Sequence, residues 1–305
     1  MSSLHRLVSS ALGLALLLAA QGQTHEDHDQ APAAPPNRDP FQVDGTIDDR
    51  AVGWLLIERG EELIRSGRNV PAARLLKQAN QADGQGCRLE LERPSRWAMS
   101  SERLLRRHRA SILVLGHVYQ CDRCPRYHAR TDTGFVLTRS GAVATCLHSL
   151  QDKNVLAVVA LTGDGRVAPV VEVLAADPAA DLVIMQMEGE GYLPLPVAAN
   201  APAGAQIRVL SHPDRNYFTL TSGVVSRYSI DRVGEATLVR MAVTAGFAKG
   251  SSGAPVLDER GGVVGLVVST RSIYYHVENG RKDNLQMVIR HCVPASYLLE
   301  LIDGD

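Results

Sequence analysis

Apolar positions along this chain follow two different periods. Between residues 47 and 82 they recur at helical spacing, with Val52, Leu55, Leu56 and Leu63 on one face of a first segment. Ala72, Leu75, Leu76 and Ala79 share a face of a second. Gly67 falls between the two, and Pro71 suits the first turn of the second helix, where its missing N–H would have no partner anyway. After Arg109 the period changes to short apolar runs broken by glycine and turn residues. These predict strands over 111–119, 134–138, 155–161, 167–174, 181–187, 206–210, 219–226, 237–243 and 263–269. A further strand is read after a turn at Ser140 and Gly141, ending in His148. Many short strands at this spacing indicate a sandwich or barrels rather than alternating α/β units. Pro194, Pro196 and Pro202 divide them into two sets, and PASYLLELI at 294–302 reads as a short closing helix. The expected fold is mainly β, with one small barrel over about 110–197 and another over about 203–292. A C-terminal helix closes it and a small α-helical hairpin at 47–83 precedes it.

Within that hairpin the order Gly60, Leu63, Gly67, Ala72, Leu76 and Ala79 is similar to one tetratricopeptide repeat, with small residues where two helices would cross. A lone repeat cannot bury both of its faces, so it is expected to dock on the main domain at 100–305. Ahead of it, His5 and Arg6 precede an apolar run over 7–20 that falls short of the roughly 20 residues a spanning helix needs. Ala20 and Gly22 sit at the offsets a signal peptidase prefers, so 1–22 reads as a cleaved signal peptide. Residues 23–46, rich in proline and charge, read as a flexible linker. The expected location is therefore periplasmic or extracellular, with no membrane attachment after cleavage.

Composition narrows the function classes. Lysine plus arginine numbers 32 against 33 for aspartate plus glutamate, a net charge of -1. Such a balance lacks the basic excess that displaces counterions from nucleic acid. An aromatic content of 5% also argues against a base-stacking surface.

The strongest chemical signal is Lys249-Gly250-Ser251-Ser252-Gly253-Ala254-Pro255. Glycines two before a serine and directly after it allow a tight turn that lifts the hydroxyl clear of the chain. The same turn can aim the amides of Gly250 and Ser252 at one spot, as an oxyanion site requires. Upstream, His148 follows an apolar strand, where an imidazole can be held at a barrel rim. A carboxylate to hold its tautomer is offered by Asp177 or Asp181. Asp177 precedes proline and suits a turn, whereas Asp181 directly precedes an apolar strand, so Asp181 is preferred.

These stretches together, GFVLTRSGAVATCLH, DLVIMQM, LTSGVVSR and KGSSGAPVLDERGGVVGLVVS, resemble the trypsin-like serine peptidases, and most closely their bacterial HtrA/Deg-type members. The resemblance covers roughly residues 111 to 300. It implies two chymotrypsin-like barrels and assigns His148 as general base, Asp181 as orienting acid and Ser252 as nucleophile. Gly250 and Ser252 become the oxyanion hole, proteins or peptides the substrates, and no cofactor or metal is expected. Ala254 replaces the usual second glycine after the nucleophile, a change the turn should accept. Gly246 falls where the family places the floor of its primary specificity pocket, so a preference for arginine or lysine is not implied. The closing helix ends close to the last residue, so the PDZ domain common in the HtrA group is not expected. The alternative function is a catalytically idle descendant that binds peptides in the same cleft.

Five cysteines complete the picture: Cys87, Cys121, Cys124, Cys146 and Cys292. An oxidising compartment favours a disulfide between Cys121 and Cys124, although with His128 nearby the pair also has the spacing of half a zinc site. Cys87 and Cys292 flank the domain and could staple its ends. Cys146, on a strand, reads as a buried thiol.

Overall fold

The computed structural model describes residues 39–121, 124–199, 201–234, 236–278 and 280–303. The expected signal peptide and most of the expected linker lie outside them. The linker's last residues are held rather than loose. Phe41 pairs with Ile47 in an antiparallel bridge, and its ring meets Phe218 edge-on with centroids 5.6 Å apart. The Arg109 guanidinium lies 4.6 Å over the same ring. One half-buried aromatic side chain thus anchors a segment that composition marks as solvated.

Helix α1 spans Asp49–Arg65, its first amides capped by the Asp48 carboxylate, and α2 spans Ala72–Gln81. Both form where the apolar period predicts them, but each is placed by the first barrel rather than by the other helix. Val52, Leu56 and Leu63 of α1 join one apolar cluster, whereas Ala72, Leu75 and Ala79 of α2 join another. Gly60 shows the reason. A Cβ there would stand 2.4 Å from Cγ2 of Val118, so the small residue admits the barrel wall rather than a crossing helix. A third helix, α3 at Ser101–His108, escaped the sequence reading because it buries only Leu104 and His108, too few positions to define a period.

The first barrel is closed and antiparallel, with strand order β1-β2-β3-β6-β5-β4. Its strands are β1 Ile112–Gln120, β2 Tyr127–Val136, β3 Ala142–Cys146, β4 Val155–Thr162, β5 Val167–Asp177 and β6 Leu182–Met187. Ile112 and Val114 of β1 fall in the cluster shared with α1, and Leu113 and Leu115 in that shared with α2. Both faces of β1 are therefore covered, and its sequence is apolar almost throughout.

The second barrel, also closed, has the order β10-β11-β12-β9-β8-β7. It comprises β7 Gln206–Ser211, β8 Thr219–Val233, β9 Ala236–Val243, β10 Pro255–Leu257, β11 Val263–Glu278 and β12 Arg281–Pro294. Beyond Ser269 the β11–β12 ladder continues to Glu278 and Arg281 as a largely exposed arm, which the expected strand at 263–269 leaves out. No side of the arm is consistently buried, and Ile273, Tyr275, Val277, Leu285 and Met287 on it are exposed apolar residues.

Helix α4, Ala295–Asp303, joins the two halves. Its Leu298, Leu301 and Ile302 pack in one cluster with Leu182 and Ile184 of the first barrel and Leu257 and Leu266 of the second.

Candidate active site

His148 lies just past β3, in a 3-10 turn over Leu147–Leu150, two residues beyond the strand that was expected to end in it. Asp181 immediately precedes β6, which pairs with β3, so the ladder brings the two residues together. The Asp181 carboxylate grips His148 twice. Oδ1 accepts the His148 backbone N–H at 2.9 Å, and Oδ2 lies 2.6 Å from ring Nδ1. Asp181 adopts φ 65°, a left-handed conformation that aspartate tolerates better than most residues. Asp177 instead accepts the Ala180 amide at 2.9 Å and closes the turn, the part expected of it.

Ser252 comes from the second barrel, on the loop between β9 and β10. Its Oγ is 3.0 Å from His148 Nε2. The neighbouring Ser251 is fully buried and its hydroxyl donates to Ser211 at 3.0 Å, so only one of the two adjacent serines faces the imidazole. Gly250 and Gly253 have φ of 88° and 80°. A Cβ at Gly253 would lie 2.1 Å from the Thr145 hydroxyl and 2.3 Å from the Thr133 carbonyl, so glycine is required there on both conformational and steric grounds. Ala254 is buried and its amide closes the turn onto Ser251 at 3.0 Å.

The first barrel also clasps this loop directly, through a residue the sequence reading missed. Thr133 of β2 donates its hydroxyl to the Gly250 carbonyl at 2.8 Å and its amide to the Ser252 carbonyl at 3.0 Å. The Lys249 carbonyl accepts the Asp214 amide at 2.6 Å. A trans peptide points its C=O and N–H in opposite directions, so this bond turns the Gly250 N–H away from the Asp214 loop. That loop is itself held by His212, whose ring accepts the Phe218 amide at 2.9 Å and contacts the Leu113 carbonyl at 3.0 Å. Burial pushes the His212 pKa down to about 3, which keeps it a neutral structural imidazole. A threonine at the start of an apolar run and a histidine before proline carry no signature in sequence. Their roles come from the junction of the barrels.

Electrostatically, burial works against a charged His148. The hydrogen bond to Asp181, its negative charge and that of Asp132 outweigh it, so the His148 pKa is raised above the ordinary imidazole value. Asp132 is the second carboxylate near this ring. Burial works against its charge too, but the nearby His117 and His148 hold its pKa below the usual aspartate value. Its Oδ2 lies 3.3 Å from His117 Nε2.

Gly246 lies beside Thr221, whose hydroxyl donates to the Gly246 carbonyl at 2.7 Å. The nearest atom to a Cβ built at Gly246 would be Thr221 Cγ2 at 3.8 Å, an ordinary van der Waals contact.

All five cysteines are free thiols. The expected Cys121–Cys124 disulfide is not formed. The sulfurs stand 3.3 Å apart, and Cys124 Sγ lies 3.0 Å from His128 Nε2, so the imidazole competes for the thiol. That contact, with the Arg126 amide and Cys121, lowers the Cys124 pKa to about 6. Cys87 and Cys292 do not staple the ends either, because Cys292 is fully buried in the second barrel's cluster while Cys87 packs at the edge of the cluster containing α4. Cys146 is buried against the Val267 carbonyl at 3.3 Å, and burial together with Asp181 and Asp132 pushes its pKa up, unsuited to a nucleophile.

Two antiparallel barrels, with a serine on one and a histidine–aspartate pair on the other, define a class. Residues 132–266 match the family model described as a trypsin-like peptidase domain, and over that stretch the chain is similar to the trypsin-like peptidases. Among solved structures, the HtrA-type protease AlgW with a tripeptide shares this fold at a TM-score of 0.53 and 16% identity, over 67% of this chain and 63% of that one. The same protease with a decapeptide gives 0.53 and 15%, over 67% of each chain. Among curated proteins, the anti-sigma-I factor RsgI9 of Acetivibrio thermocellus is 28% identical over 166 residues, which are 53% of this chain. The chain spans 21% of the length of that relative.

Proposed function

We propose that the protein is an exported serine endopeptidase that hydrolyses peptide bonds through an acyl-enzyme on Ser252. The reading is carried by one observation, the unbroken contact from Asp181 through His148 to Ser252 at 2.6 and 3.0 Å. Asp181 holds the Nδ1–H tautomer, leaving Nε2 to take the Ser252 proton as Oγ attacks the carbonyl carbon. The amides of Gly250 and Ser252 receive the oxyanion, usually the largest single contribution to such catalysis. His148 then protonates the departing amine, and water, activated by the same imidazole, releases the acid. Export rests on the N-terminal leader pattern; among the described residues no helix is long and apolar enough to cross a membrane. Gly246 offers no carboxylate to pair with a basic side chain, which supports a preference for small or apolar side chains in the primary pocket.

A fluorophosphonate probe tests the nucleophile. Wild type should label and Ser252→Ala should not, whereas no labelling of folded wild type would favour the idle, peptide-binding alternative. Strong selection for basic residues from a peptide library would refute the pocket assignment.

The pH profile supplies a second test. His148 must be neutral to accept a proton, and its raised pKa places that requirement above the ordinary value of about 6.5. kcat/KM should therefore climb as pH rises through an inflection above that value. Asp132→Asn, which removes one of the charges favouring imidazolium, should move the inflection down. A profile flat from pH 5 to 8 would be incompatible with His148 as base.

A further inference from the structure

The β1–β2 hairpin carries Cys121, Cys124 and His128 in a C-x2-C-x3-H arrangement remote from the triad. Their ligand atoms all lie within 4.8 Å of one another and all three residues are half-buried. The three side chains come from one short stretch of sequence. His128 is held by its surroundings, its ring stacked on Tyr119 with centroids 5.8 Å apart and planes inclined by 28°. The Arg130 guanidinium lies 5.5 Å over the other partner of that stack, Tyr119.

We infer that Cys121, Cys124 and His128 form a zinc-binding site that clasps the tip of the β1–β2 hairpin. Two thiolates and an imidazole are a soft-to-borderline donor set that suits zinc, and oxygen-seeking cations such as magnesium or calcium do not favour it. The geometry is close to what the ion needs. Tetrahedral zinc with bonds of about 2.3 Å to sulfur and about 2.0 Å to nitrogen sets S···S near roughly 3.8 Å and S···N near roughly 3.5 Å. The observed 3.3 and 3.0 Å are each about half an ångström shorter, an outward adjustment that rotation of the half-buried cysteine side chains supplies. Binding displaces the thiol protons to solvent. Water fills the fourth position when no other ligand is offered.

The placement makes the ion a structural clasp rather than a Lewis acid for peptide hydrolysis. His128 and Thr133 are both on β2, and five residues of strand span about 17 Å. Thr133 is the residue that holds Gly250 and Ser252, so the clasp stiffens the far end of the strand that supports the serine loop.

The test uses the full chain, purified under reducing conditions with zinc and then dialysed, with metal measured by mass spectrometry. One zinc per chain is expected, and cobalt(II) should give the strong visible absorption of a four-coordinate thiolate complex. Cys124→Ser should lose the metal, and His128→Asn, which leaves both thiols in place, should weaken binding by at least about tenfold. Should the serine variant fail to fold, the asparagine variant decides alone. Absence of bound metal, stoichiometry unchanged in the variants, or a Cys121–Cys124 disulfide in protein recovered from its own compartment would overturn the site.

Discussion

Replacing Ser252 by alanine is expected to lower kcat by about 10⁵- to 10⁶-fold, and adding His148→Ala to it should cost almost nothing more. In the proposed mechanism the two side chains share one event. The imidazole is useful only when Oγ gives it a proton, and Oγ attacks effectively only when the 3.0 Å contact to Nε2 relieves it of that proton. Removing either member removes the event, so the free-energy losses do not add. What remains should be the modest rate the Gly250 and Ser252 amides and substrate binding provide on their own. Steady-state kinetics of both single variants and the double variant measure this directly. Losses that add as independent factors would show that the proposed proton transfer between them does not occur.

Asp181→Asn should cost about 10⁴-fold in kcat while leaving the protein folded. The carboxylate accepts two hydrogen bonds, one from the His148 backbone N–H and one from the ring. An asparagine has a single accepting oxygen and an amide that can only donate. If the oxygen keeps the backbone bond, the amide faces Nδ1 and drives the ring proton to Nε2, where it blocks acceptance from Ser252. Loss of the negative charge also removes the main interactions that raise the His148 pKa, so the pH inflection should fall as well. Kinetics across pH would show both effects, and a variant with near-normal kcat would exclude Asp181 as the orienting acid.

Particular residues show how far the sequence was legible. Strand runs such as 155–161 and 181–187 could be read because buried strands concentrate apolar residues, and they match β4 and β6 to within a residue at either end. The serine loop was legible because its conformation demands glycine at two places, and such a demand leaves a mark in sequence. Asp181 could be separated from Asp177 because one abuts a buried strand and the other a proline. Gly60 was misread for an equally physical reason. A small residue reports that something approaches closely, but not what approaches, and the neighbour turned out to be Val118 on a strand. The Cys121–Cys124 spacing likewise allowed a disulfide or a metal pair, and only the structure shows the Cys124 thiol against the His128 imidazole.

Local sequence determined the alternation of strands and turns, the division into two barrels, the closing helix and the chemical identity of the site's side chains. Each follows from burial periodicity or backbone conformation within a few residues. Tertiary structure alone decided that α1 and α2 pack into separate clusters on the first barrel rather than against each other, and that Thr133, His212 and Asp132 support the site. Those arrangements depend on contacts between segments tens of residues apart, where polar groups find partners set by the packing of whole barrels. A chain position has no local property that records which distant group will complete its hydrogen bonds.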